Sequence, residues 1–197
     1  MKLFHFTLWL AFFAACGCAQ PYPKSEALMK AGEPLVVPAE FKNGTASLEQ
    51  VKAWSASQLS ILWNQPHLEI MERDLNQDGT NDLLIAETHM GGTGGNSYLA
   101  FERTPKGYRY LGDLAFGAMR VLPKDESHHQ KILTYWHLSC NEGTVALLIL
   151  DATGFHEFKH TTIHPGDSGT EEGNKIYEEL FGTNIVSPET LRLLFGK

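Results

Sequence analysis

The chain has 197 residues, 43% hydrophobic and 20% charged, enough for one domain with a real core behind a short leader. Lys and Arg number 16 against 23 Asp and Glu, giving a formal charge of −7. That balance argues against nucleic acid and anionic lipid as partners and suits cations better.

Residues 1–19 read as a signal peptide. Met1 and Lys2 give a positive start, and about thirteen apolar residues follow at 3–15. Such a run is too short to span a bilayer but matches a signal core. Phe13-Ala14-Ala15-Cys16-Gly17 resembles a bacterial lipobox, which implies lipid on Cys16 and a membrane contact made only through that anchor. A cut after Ala19 is the alternative, and gives a freely secreted chain. The expected location is therefore the periplasm or cell surface, otherwise the medium. Of three cysteines, Cys18 and Cys140 can pair in an oxidising compartment, or Cys140 can stay a buried free thiol.

Residues 20–46 read as a tether, since Pro21, Pro23, Pro34 and Pro38 interrupt regular structure. Residues 47–197 are expected to form a single domain. Ser47, with Gln50 three residues on, has the form of a capping box, and Leu48, Val51 and Trp54 share one helical face. A second apolar run, Leu59, Ile61, Leu62 and Trp63, ends at Pro66. Strands are expected at 68–74, 83–90, 97–103, 108–114, 130–138, 144–151 and 155–164. Turns such as Thr104-Pro105-Lys106-Gly107 and Ala152-Thr153-Gly154 join neighbours. Residues 175–181 read as a helix ended by Gly182, and Ser187-Pro188-Glu189 opens another. The sum is a mainly β (α+β) domain. It has an antiparallel meander of about seven strands and short helices at either end.

The segment Asp74-Leu75-Asn76-Gln77-Asp78-Gly79-Thr80-Asn81-Asp82-Leu83 carries the chemistry. Calcium takes six to eight oxygens at about 2.3–2.6 Å. Side-chain oxygens at loop positions 1, 3 and 5 (Asp74, Asn76, Asp78) can converge if the chain turns sharply at position 6, where Gly79 permits it. The Thr80 carbonyl and Asp82 supply positions 7 and 9. The pattern then leaves the EF-hand: position 12 is Ile85 where a bidentate Glu is needed, and the flanks read as strands.

The loop resembles instead the Asp-x-Asn-x-Asp-Gly-x-x-Asp-Leu segment of FG-GAP and VCBS-type calcium-loop β-repeat proteins. There the apolar residues after the last Asp enter a strand, as Leu83, Leu84 and Ile85 do here. The likeness implies calcium on Asp74, Asn76, Asp78, Thr80 and Asp82. It occurs in one copy, so a partial propeller-like or open sheet is expected and not a full propeller. Three carboxylates without a position-12 Glu suit weak binding, roughly 10⁻⁴–10⁻³ M, and a structural role.

Other candidates are weaker. Residues 91–95 are glycine-rich but match no phosphate loop. Gly166-Asp167-Ser168-Gly169 echoes a serine-protease segment without the rest of a triad. His156, His160 and His164 would share one strand face, about 13 Å apart at each step, too far for one metal. The aromatic set Tyr98, Phe101, Tyr108 and Tyr110 suits either hairpin packing or a ligand face. The functional expectation is an exported, calcium-stabilised, non-catalytic binding or surface module with an unidentified surface ligand or protein partner. The alternative is an exported hydrolase with calcium as a structural ion.

Overall fold

A computed structural model describes residues 36–59, 67–88, 94–124, 129–166, 169–183 and 185–196. The signal segment with Cys16 and Cys18, the run at 61–63, residues 91–93 and the pair at 167–168 lie outside them.

The described residues form two four-stranded antiparallel meanders. The first sheet is β1 (Leu68–Arg73), β2 (Asp82–Glu87), β3 (Asn96–Thr104) and β4 (Gly107–Phe116), in that order. The second is β5 (Ala118–Val121), β6 (Gln130–Ser139), β7 (Glu142–Asp151) and β8 (Gly154–Ile163). The mainly β class, the meander order and the absence of a full propeller are borne out. All seven expected strands are present. The eighth, β5, is only four residues long and half-buried throughout, so it carries no alternation to read.

The period-2 pattern of each central strand feeds two cores. Leu84 and Ala86 of β2 and Tyr98 and Ala100 of β3 face the second sheet, where Ile132, Ala146, Leu148 and Leu150 meet them. Leu83, Ile85, Leu99 and Phe101 point the other way, under α1 (Ala39–Lys42) and α2 (Leu48–Leu59). Leu133, Tyr135, Val145 and Leu147 turn their backs on the inter-sheet core. They pack with Leu180 and Phe195 from α3 (Glu171–Phe181) and α4 (Pro188–Phe195). The layers are therefore helix, sheet, sheet, helix. Covering both faces explains why β2 is buried at every position. Burying one side chain such as Phe101 contributes roughly 1.5–3 kcal/mol relative to leaving it exposed.

The meander divides at Gly117. β4 runs straight into β5 there, and the Gly117 N–H donates to the Tyr135 carbonyl of β6 at 2.6 Å. Gly95 makes the crossing close: a Cβ on it would lie 2.3 Å from both Gly117 N and Phe116 O. Its φ of +124° is also open to glycine and poorly to other residues.

Two bulges set which residues face which core. Ala100 pairs with Gly112 and Phe101 with Tyr110, so Leu111 is extra. The extra residue lets Leu111 and Leu114 both reach the inter-sheet core while Tyr110 packs beneath α2. On β8, Leu147 pairs with Lys159 and Leu148 with Glu157, leaving Phe158 extra and half exposed at 52%. Phe155 therefore faces the first sheet and Ile163 faces the helices.

The capping box at Ser47 is present. The Ser47 N–H donates to Gln50 Oε1 at 2.8 Å and the Gln50 N–H to Ser47 Oγ at 3.2 Å. Ser187 caps α4 with proline in its first turn, as its sequence signature indicates. α3 begins earlier than 175, at Glu171, because Thr170 accepts the Gly173 N–H. The expected tether needs correction at its end. Phe41 and Ala46 are buried at 1% and 0%, and Ala46 bridges to Tyr108, so residues 39–46 belong to the fold. The prolines hid this, since only a four-residue helix follows Pro38. Of the two expectations for Cys140, the buried thiol is corrected, since Cys140 is exposed at the β6–β7 turn, and the pairing with Cys18 lies outside the described residues.

The aromatic set goes into packing. Tyr98 stacks on Phe116 at 4.5 Å between the sheets, and Trp54 of α2 stands edge-on to Phe101 and Tyr110 at 5.9 and 5.2 Å. Among the described residues no helix is long and apolar enough to cross a membrane.

Candidate functional site

β1 ends at Arg73 and β2 begins at Asp82, so residues 74–81 are the connection between two paired strands, Arg73 lying opposite Asp82. An eight-residue link cannot be a tight hairpin, and its backbone donors need acceptors. The loop's own side chains supply them. Asp74 Oδ1 accepts the Asp78 N–H at 3.1 Å and its Oδ2 the Gly79 N–H at 2.9 Å. Asn76 Oδ1 also accepts from Asp78 N–H, at 3.0 Å, and Asp78 Oδ1 accepts the Thr80 N–H at 2.7 Å. Gln77, at φ +54°, and Gly79, at φ +88°, provide the left-handed residues that curl the chain.

Asp82 plays a different part from its loop partners. It is fully buried, and its carboxylate accepts two backbone N–H groups: Leu75 at 2.9 Å across the loop and Arg103 at 2.9 Å on β3. Burial pushes its carboxyl up to about 6, against the pull of those two N–H donors. At Asp78 a small desolvation is outweighed by the Thr80 N–H and the Asn76 amide, and its carboxyl lies below the ordinary value.

Three contacts bind the loop to the rest of the molecule. Leu75 is buried in the inter-sheet core. Gln77 Nε2 donates to the Leu122 carbonyl, just beyond β5, at 3.2 Å. Asn76 Nδ2 bridges Asp78 Oδ2 at 3.0 Å and Glu102 Oε1 at 3.1 Å. Glu102 in turn holds Arg109 at 2.7 Å, and Arg109 donates to the Ala152 carbonyl in the β7–β8 turn. The loop thus touches both sheets at one end of the sandwich.

The structure brings Asp74, Asn76, Asp78 and Thr80 into one hydrogen-bonded loop and sets Asp82 at its base as a brace. Glu102 was not legible from sequence as part of this group. It is 26 residues from Asn76, and only the β2–β3 register places it there. The donor set is oxygen alone, three carboxylates and an amide around one curled loop, which fits a hard cation. Each oxygen that accepts an N–H keeps a second lone pair. As they stand, the carboxylates are spaced by hydrogen bonds: among the described residues no three Asp, Glu, His or Cys side chains are gathered tightly enough to hold a metal.

The histidines do not assemble. The bulge at Phe158 breaks the strand alternation that would align His156, His160 and His164, and each has its own neighbour. His156 meets Asp151 at 3.3 Å, His160 meets Glu157 at 2.6 Å and His164 lies 3.2 Å from the Asn141 carbonyl.

No protein-family model, curated protein or solved structure matches the chain.

Proposed function

We propose that this protein is an exported, non-catalytic binding module whose two sheets are braced by calcium in the 74–82 loop. On this reading it is held at a membrane surface by lipid on Cys16. The observation that carries the proposal is the arrangement of Asp74, Asn76 and Asp78. All three turn side-chain oxygens inward onto the loop's own backbone, around a curl made at Gln77 and Gly79. An all-oxygen set of this kind suits calcium over transition metals. The net charge of −7 and the leader's composition support a cation-binding, exported chain.

Calcium would supply charge neutralisation for Asp74 and Asp78, whose hydrogen-bond donors among the described residues are neutral N–H groups. The protein's residues do the rest. Leu75 and Gln77 fix the loop to the second sheet, Asp82 fixes its base to the first, and Asn76 keeps Asp78 and Glu102 apart. A melting curve with and without millimolar calcium tests the proposal. An upward shift that Asp74→Ala abolishes supports it, and an unshifted transition rules it out.

A further inference from the structure

A cleft of about 450 Å³ opens on the far side of the second sheet from the first, where β6, the β6–β7 turn and α3 meet the Gly94–Gly117 crossing. Its size falls in the range of small-molecule sites. Glycine lets the backbones at its wall cross closely. A Cβ at Gly94 would lie 2.7 Å from the His137 carbonyl, and one at Gly117 would lie 2.9 Å from the Gly94 carbonyl. His137 N–H donates to that Gly94 carbonyl at 3.1 Å, which fixes the crossing in place.

Tyr135, Tyr177, His137 and Asn174 line the rest, together with Cys140 and Pro165. Tyr135 and Tyr177 meet edge-to-face at 4.8 Å and 73°, and Phe181 holds Tyr177 from behind at 5.3 Å. His137 lies beside Tyr135 at 6.1 Å. Asn174 completes the rim, its amide anchored on both backbone groups of Gly166. No Lys, Arg, Asp or Glu is among the described residues lining the cleft. Burial raises both tyrosines, so each phenol stays a neutral O–H at any ordinary pH.

Each feature narrows the ligand. A charged group entering the cleft would lose water without gaining a counter-charge from the described lining residues, which favours an uncharged ligand. The two tyrosines meet at 73° and present no pair of parallel faces, so a flat ring cannot be sandwiched between them. The edges of whatever sits there meet an imidazole, phenol hydroxyls and an amide, groups that serve as hydrogen-bond partners for hydroxyls. One apolar face with hydroxyls around the edge is the pattern of a saturated sugar ring.

We infer that the cleft between β6 and α3 binds an uncharged pyranose, stacked on Tyr177 and hydrogen-bonded at its edge by His137 and Asn174. This names the ligand site of the binding module proposed above and rests on that reading. Its readout, magnetisation transfer to a sugar, is separate from the calcium shift, so either can fail alone.

The test is saturation-transfer NMR on the full chain with neutral probes (glucose, galactose, mannose, fucose and N-acetylglucosamine) and charged ones (glucuronate and glucosamine). Transfer to the ring protons of at least one neutral sugar is expected, and none to the charged pair. Tyr177→Ala should weaken binding ~10-fold or more, as expected when the aromatic platform under the sugar is removed. Tyr177→Phe, which keeps the ring, should retain most of it, and Phe158→Ser on the opposite element should leave it unchanged. If Tyr177→Ala loses its fold by near-ultraviolet circular dichroism, His137→Gln replaces it, with the same direction expected. Absence of transfer from every neutral sugar, transfer unaltered by Tyr177→Ala or its replacement, or transfer confined to the charged pair overturns the inference.

Discussion

The Asp82 carboxylate reaches back across its own loop to accept the Leu75 N–H at 2.9 Å, while Leu75 itself is buried between the sheets. A buried carboxylate is costly unless paired, and here two backbone donors do the pairing. Removing it leaves Leu75 and Arg103 N–H groups without acceptors, each costing about 1–3 kcal/mol. Asp82→Ala should therefore lower stability by about 2–5 kcal/mol in chelator. Asp82→Asn, which retains one acceptor, should cost roughly half as much. Urea unfolding measures both; equal and negligible losses would show that the brace carries no weight.

Calcium at ten times its dissociation constant should stabilise the native state by about 1.4 kcal/mol, from mass action. For a domain of this size that is a rise of about 3–6 °C in Tm. Asp74→Ala and Asp78→Ala should each remove the shift, and adding chelator to the wild-type chain should do the same. Differential scanning fluorimetry reads all three.

Two glycines with positive φ separate backbone freedom from space. Gly79, at φ +88°, has nothing within 4 Å of a Cβ placed on it. Gly79→Ala should cost only the left-handed penalty, about 1–2 kcal/mol. Gly95 has the same handicap and backbone atoms at 2.3 Å as well. Gly95→Ala should cost more than about 3 kcal/mol or prevent folding, because the Phe116–Gly117 chain cannot move without parting the sheets. Chemical denaturation ranks the pair.

Phe158 is the extra residue of its bulge, so β8 can spare both its ring and its place. Phe158→Ser should change stability by no more than about 0.5 kcal/mol, since the side chain is half exposed. Deleting Phe158 removes the extra residue and leaves Glu157 opposite Leu148 and Lys159 opposite Leu147, so Phe155 and Ile163 keep their cores and the loss should be modest. Denaturant midpoints of the two variants should lie close together, and a collapse of stability on deletion would contradict the bulge assignment, because in a regular strand the same deletion would turn Phe155 or Ile163 out of its core.

Asp151 supplies a pH test away from the loop. The Thr153 hydroxyl at 2.7 Å is the first cause holding its carboxyl down to about 2, followed by the Thr153 N–H, with a smaller contribution from His156. A depressed folded value means the contribution to stability is present above the unfolded value of about 3.9 and is lost as pH falls towards about 2. Thr153→Ala keeps the backbone donor but removes the hydroxyl, so it should raise the Asp151 midpoint. Carbon-detected NMR titration of the carboxyl follows it directly.

Much of this molecule can be read from the chain alone. The 74–82 loop, the capping box at Ser47 and the proline start at 188 are local signatures, decided by residues within a few positions of each other. Apolar and β-branched runs bounded by turn residues made seven strands legible, although β1 buries no residue fully and β2 buries every one. What the chain alone could not decide is non-local. β5 is too short to show a period, and its existence depends on pairing with β6. The bulges at Leu111 and Phe158 arise from register against a partner strand, yet they choose which core each later residue enters. Glu102 joins the loop, and Tyr135, His137 and Tyr177 join one cleft, only because strand pairing and helix packing bring together residues far apart in sequence. The sequence determined the oxygen-rich loop and the strands either side of it. Tertiary structure decided that the loop spans two sheets, since a brace is defined by what it touches.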